Sequence, residues 1–239
     1  MHRHSPVWNR VALSLWLALS SVVSWAASRE EQIRVSFLQN QALYRVTEEA
    51  PWQNLSLGTP LQAGAEVKTL LETRLVLQLG DGSEVRIAPN SLLRINTQTN
   101  PLESHYDFEL SVGRAWAKLR KNVTRAGHLI LRTTQATIDI QGTAYEVMTD
   151  ATMTDVHVFS GKVAISGVEP SLAQPQEAGE IAGPTEIAPP QEVSLAEWHV
   201  IVGAFQRFSV SAKQRSAPTA FTLQEVNNPW VSWNLERDR

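Results

Sequence analysis

The sequence predicts an all-β protein, and three observations predict it. Apolar and polar residues alternate through RLVLQLGDGSEVRI, DFELSVGRAWAKL, TIDIQGTAYEV and VHVFSGKVAIS, the period-two spacing of half-buried strands. Each run enters or leaves a glycine, so Gly82, Gly113, Gly142 and Gly161 read as structural turn positions where the chain reverses or turns a sheet corner. The chain of 239 residues is 43% apolar and 19% charged, enough for a proper core. The alternation puts Leu75, Leu77 and Leu79 on one strand face, Val156 and Val158 on another, and Val163 and Ile165 on a third.

At the N-terminus, His2, Arg3, His4 and Arg10 precede the apolar run VALSLWLALSSVV and the small-residue site around Ala26, the order of a secretory signal peptide over residues 1–26. The run is shorter than the roughly 20 residues a bilayer span needs, so no permanent membrane span is expected after cleavage. Losing Arg3 and Arg10 moves the net charge from −3 to −5. With no cysteine in the chain, disulfides, a thiolate nucleophile and Cys-ligated metals are excluded, and export without cysteine suits a bacterial periplasm. Residues 27–167 form the β domain: short strands from Ile33 to Val46, then turn, strand, turn, strand from Pro51 to Thr69, then the alternating block. Residues 168–192 interleave Pro170, Pro175, Pro184, Pro189 and Pro190 with glutamates, the composition of a linker or loop.

Residues 193–239 form a C-terminal extension packing on the β domain, with short helices. Ser194 and Glu197 have capping-box spacing, and Leu195, Trp198 and Val202 then fall at helical spacing, which predicts a helix. FQRFSVS returns to strand spacing. Asn228 before Pro229 predicts a capped helix with Trp230 and Trp233 on one face, which reads first as a plug for the open end of the β core and alternatively as a carbohydrate or ligand platform.

Patterns that carry chemistry are scarce. No nucleophile elbow, zinc-binding helix pair or phosphate loop occurs, and the histidines show no metal-ligand spacing; His157, between Val156 and Val158, reads as a solvated strand position. The strongest carboxylate candidates, Asp81, Glu84 and Asp139, lie beside glycine turns; Asp81 precedes a glycine and reads as a turn residue bonding local backbone, while Asp139, between Ile138 and Ile140, faces water or a polar neighbour. The expectation is a protein that is not an enzyme and holds no cofactor or metal. One charge pattern stands out: no acid occurs between Leu110 and Ile138, while Arg114, Lys118, Arg120, Lys121, Arg125 and Arg132 do, with Trp116 among them. In an acidic protein, Arg114, Trp116, Lys118, Arg120, Lys121 and Arg125 form a candidate contact for an anionic envelope polymer or an envelope protein's acidic surface. The structural alternative is a solvated hairpin whose lysines protect an edge strand. Export and negative net charge argue against nucleic acid.

Five pieces in order resemble the FecR domain: Gly64, Val67 and Thr69; LGDGSEVRIAPNS; ELSVGRAWAKL; the stretch from Thr133 ending in GTAYEV; and TDVHVFSGKVAIS. The resemblance covers residues 35–167 and implies an all-β domain whose short strands stack in a roll- or solenoid-like arrangement; patterning alone also leaves a twisted β-sandwich open. Full-length regulators of this family join a cytoplasmic sigma-factor-binding segment, a transmembrane helix and a periplasmic domain. Here about ten residues precede the apolar run, so the leading expectation is a stand-alone periplasmic binding or sensing module. A membrane-retained signal-transduction regulator linked to sigma-factor control and iron uptake is the alternative, and a structural envelope scaffold the third reading.

Overall fold

The computed structural model of the protein describes residues 33–96, 105–120, 128–140, 144–168 and 197–239. The first strands are β1 (Ile33–Gln39), β2 (Ala42–Arg45), β3 (Gln53–Asn54), β4 (Pro60–Leu61), β5 (Glu66–Thr69), β6 (Arg74–Gln78), β7 (Glu84–Ile87) and β8 (Leu92–Ile95). The long β9 (His105–Lys118) leads to β10 (His128–Arg132), β11 (Thr137–Ile140), β12 (Ala144–Thr149), β13 (Met153–Ser160) and β14 (Lys162–Val168). After the Pro/Glu-rich stretch come β15 (Glu197–Gly203), β16 (Gln206–Ser211), β17 (Thr219–Ala220) and two helices, α1 (Leu223–Val226) and α2 (Pro229–Arg237).

The strands form two leaves joined through β9. Leaf A runs β4, β1, β6, β7, β9, β12, β13, β16, β17. Leaf B runs β3, β2, β5, β8, β9, β10, β11, β14, β15. All these pairs are antiparallel except β9 with β10. The chain passes repeatedly between the leaves, so the short strands coil around one core in the roll-like manner expected. The leaves do not close into a barrel.

One apolar core lies between the leaves. Leu75, Leu77, Val156 and Val158 of leaf A meet Val163, Ile165, Phe108 and Leu131 of leaf B, all at most 1% exposed. These are the positions the alternation selected, because residues two apart in a strand share a face. The extension is part of both leaves: β15 pairs along β14, β16 pairs along β13, and Trp198, Val202, Phe208 and Val210 enter the same core.

The helix expected from Ser194 onward is corrected by the structure, which has a strand over Glu197–Gly203. Trp198, Val200 and Val202 also alternate, and β-branched valine and isoleucine fit a pleated sheet better than a helix. Free β14 ladder groups then fix the choice.

A parity change in β9 decides which of its side chains reach the core in each leaf. In leaf B the even-numbered Tyr106, Phe108 and Leu110 face the core, whereas in leaf A the odd-numbered Ala115, Ala117 and Leu119 do. The register shifts by one residue where Leu92 and Leu93 oppose Val112 and Leu110. This bulge inserts one residue and swaps the faces beyond it. Gly113 comes next with φ 106, a conformation that glycine adopts without strain. A Cβ there would lie 2.2 Å from Ser91 Oγ, so the corner also needs the missing side chain.

Candidate functional site

Because parity flips at the bulge, Arg114, Trp116 and Lys118 point away from the main core, onto the outer face of leaf A. Cross-strand register sets Trp116 between Arg86 of β7 and Glu146 of β12, with His157 of β13 beyond Glu146. Lys118 stands opposite Glu84 and Ala144, and Arg114 opposite Met148.

This face is covered. Helix α2 lies on it, with Trp230 and Val231 packed among Ala88, Trp116, Ala144, Phe159 and Phe221 in a second apolar cluster. The Trp116 and Phe159 rings are 4.4 Å apart, and Phe159 meets Phe221 edge-on at 5.4 Å. The helix starts as its sequence predicts: Asn228 Oδ1 accepts from the amides of Trp230 and Val231, each at 3.0 Å, and Pro229 occupies the first turn. Trp230 and Trp233 stack at 5.5 Å. The helix does not enter the main core as a plug: Trp230 and Val231 belong to the separate cluster on the outer face of leaf A.

Polar contacts converge on the end of α2. Arg86, 1% exposed, forms an ion pair with Asp238 at 2.6 Å, donates through Nη1 to Asn234 O and Oδ1 at 3.1 and 3.2 Å, and donates through Nε to Glu84 at 2.8 Å. Trp116 Nε1 donates to Asp238 Oδ2 at 3.1 Å. Lys118 donates to Asp238 O and pairs with its carboxylate at 3.4 Å, and Arg237 donates to Glu84 at 3.2 Å. Burial pushes the Glu84 carboxyl up, but hydrogen bonds from Arg237 and Arg86, with their charges, outweigh it and hold it below its usual value. The face thus binds a carboxylate at a helix end, using two cations and an indole donor.

Beyond α2 the same row continues into Glu146, which is fully buried. Arg114 pairs with it at 3.1 Å and His157 at 3.3 Å, with Phe221 5.3 Å from the His157 ring. His157 is largely buried, correcting the solvated reading, because β17 and the helices cover a face that alternation alone assigns to water.

The structure brings Arg114, Trp116 and Lys118 together. Arg120 is exposed, its amide bonded to Ser83 Oγ at 3.0 Å and its guanidinium against Gly82. Arg132 belongs to the outer face of leaf B, where it pairs with Asp107 at 2.9 Å. Lys121, Arg125 and Gly142 lie outside the described residues, as do residues 1–26 and most of residues 168–192. β9 is central in both leaves, so the edge-hairpin alternative does not hold for it. Gly82 and Gly161 occupy turns with φ 83 and 76. Asp81 accepts from the Ser83 amide at 2.8 Å, and Asp139 meets His128 at 3.2 Å, both as the sequence suggests. Sequence reading missed Arg86, Glu146 and Asp238; Glu84 stood among its carboxylate candidates, and the structure places it between Arg86 and Arg237. The clue for Asp238 was a carboxylate at a helix C-terminus, where the dipole disfavours it.

Among the described residues no cluster of three or more His, Asp or Glu side chains is arranged to hold a metal ion, and no helix is long and apolar enough to cross a membrane. The family model described as FecR protein matches residues 65–164. That range includes Arg86, Trp116 and Lys118 and stops before α2. Two crystal structures of a provisionally assigned anti-sigma factor from Parabacteroides distasonis ATCC 8503 are similar to the chain at 15% identity. Their TM-scores are 0.47 and 0.48, over 67% and 70% of this chain. The chain spans 62% and 63% of those two chains. No curated protein matches it.

Proposed function

We propose, from the FecR match over residues 65–164, that this chain is a non-catalytic signal-transduction regulator that works by binding, as an exported module of the cell envelope. The FecR match supports the signalling class. The contact that carries the binding reading is Asp238 held by Arg86, Trp116 and Lys118: the basic face already recognises one carboxylate, that of its own last helix. The envelope partner is then an acidic protein surface or an anionic polymer, met along the exposed margin of this face at Lys118 and Arg120. The acid-free composition of the segment favours such a partner at low ionic strength.

The test is crosslinking in a periplasmic extract with wild-type protein and the Lys118→Gln/Arg120→Gln variant. Circular dichroism is expected to stay unchanged while a salt-sensitive crosslink weakens. A variant that keeps every crosslink at low salt removes the contact assignment.

The membrane-retained version of the regulator rests on the apolar run of the first 26 residues. Mass spectrometry of the exported protein separates the two: a mature chain starting near Ala27 removes the anchored version.

A further inference from the structure

Among the described residues four strands end the two leaves, and three of them are blunted. β4 has two residues, one a proline, and lies beside a β1 whose register shifts between Val35 and Phe37. β3 has two residues. β17 has two, and the Val210 to Arg215 bridge covers more of β16. Short strands, proline and bulges are how sheet edges avoid joining other sheets.

The fourth, β15, has none of these devices. Its seven residues pair with β14 from Gly203 opposite Lys162 to Glu197 opposite Val168 without a register shift. Its sequence, EWHVIVG, contains no lysine or proline. Among the described residues no strand pairs with its other edge. Ile201, on the outer face, is 59% exposed. The Gly203 amide is already taken by Gln206 Oε1 at 2.8 Å, so the open stretch runs from Glu197 to Val202.

We propose that β15 is a homodimer edge, pairing antiparallel with β15 of a second copy about a two-fold axis at Val200. Only an axis through a residue keeps inward and outward faces matched across the pair, and Val200 lies near the middle of the open stretch. Trp198 then faces Val202 of the other copy, extending the inner apolar row, while His199 faces Ile201 on the outer side. Glu197 comes opposite Gly203, whose missing side chain leaves it open to Lys162 on the next strand. Both side chains are exposed and on the outer face. That charge complementarity, repeated by the two-fold, favours a second copy over an unrelated strand. The result joins two B leaves into one sheet.

Sedimentation of the purified chain is expected to show the mass double as concentration rises into the high micromolar range. Ile201→Lys, and separately His199→Lys, puts a charge on the edge without touching the core; each is expected to give a monomer with unchanged melting. The chain has no cysteine, so His199→Cys mixed with Ile201→Cys is expected to form the intermolecular disulfide faster than either variant alone. A wild-type chain that stays monomeric at every concentration overturns the proposal. So does a dimer that survives both lysine variants, or equal crosslinking in all three cysteine mixtures.

Discussion

The indole nitrogen of Trp116 donates to Asp238 Oδ2 across 3.1 Å, joining a central strand to a helix end 122 positions away. Asp238 is the C-cap of α2, where a carboxylate faces the negative end of the helix dipole at a cost of about 0.3–1 kcal/mol. The ion pair with nearly buried Arg86 and the contacts with Lys118 act in the opposite direction. Asp238→Ala should destabilise the fold by about 2–3 kcal/mol, less than a fully orphaned buried charge because Arg86 keeps Glu84 and Asn234. Asp238→Asn should cost less, since it keeps a hydrogen-bonding oxygen. Urea denaturation with a constant slope measures both; a stabilised Asp238→Asn would mean that the dipole wins and the pairing contributes nothing.

Docking of α2 should weaken in acid, with a sign fixed by Glu84. Its carboxyl is held below the usual glutamate range because bonds from Arg237 and Arg86 outweigh burial. A carboxyl depressed on folding stabilises the native state above its unfolded pKa, and the contribution is lost as pH falls through the folded value. Wild type should therefore melt above Glu84→Gln at neutral pH, with the gap closing below about pH 4. A gap constant down to about pH 3 would remove the ion-pair explanation.

Two glycine substitutions should differ although both sites have positive φ. At Gly113 a Cβ meets Ser91 Oγ, Cβ and Cα between 2.2 and 2.6 Å, and the Ser91 backbone cannot withdraw without breaking the Thr69 bonds that hold it. At Gly82 the nearest atoms belong to the end of the Arg120 side chain, at 2.8 Å, which can swing into solvent. Gly113→Ala is expected to cost about 3–5 kcal/mol from strain and overpacking together, and Gly82→Ala about 1 kcal/mol. Equal melting temperatures for the two variants would refute the corner assignment.

Much of the inner architecture was legible because the period-two rule reports one face of a strand directly. Leu75, Leu77, Val156, Val158, Val163 and Ile165 all entered the core. The outer face of leaf A was not legible: Arg86 and His157 occupy polar positions in perfect alternation, and nothing local tells solvent from a helix arriving from the far end of the chain. The bulge in β9 was hidden for a related reason. Phe108, Leu110, Ala115 and Ala117 show the change of parity, but Gly113 alone does not reveal that the strand changes leaves. Around β15 a local capping signal competed with the ladder offered by β14, and the ladder prevailed.

The Arg114 and Glu146 pair should be asymmetric in its mutational cost. Glu146 has no exposed side-chain surface, while Arg114 is 31% exposed. Removing Glu146 lets the guanidinium turn toward water; removing Arg114 leaves a fully buried carboxylate beside His157, whose ring packs on Phe221. An uncompensated buried charge costs about 3–5 kcal/mol, so Arg114→Met should destabilise more than Glu146→Gln. Adding Glu146→Gln to Arg114→Met should then recover stability, since the neutral amide no longer needs the cation. A double variant less stable than Arg114→Met alone would show that packing of the arginine stem, rather than the buried charge, sets the energy of this corner.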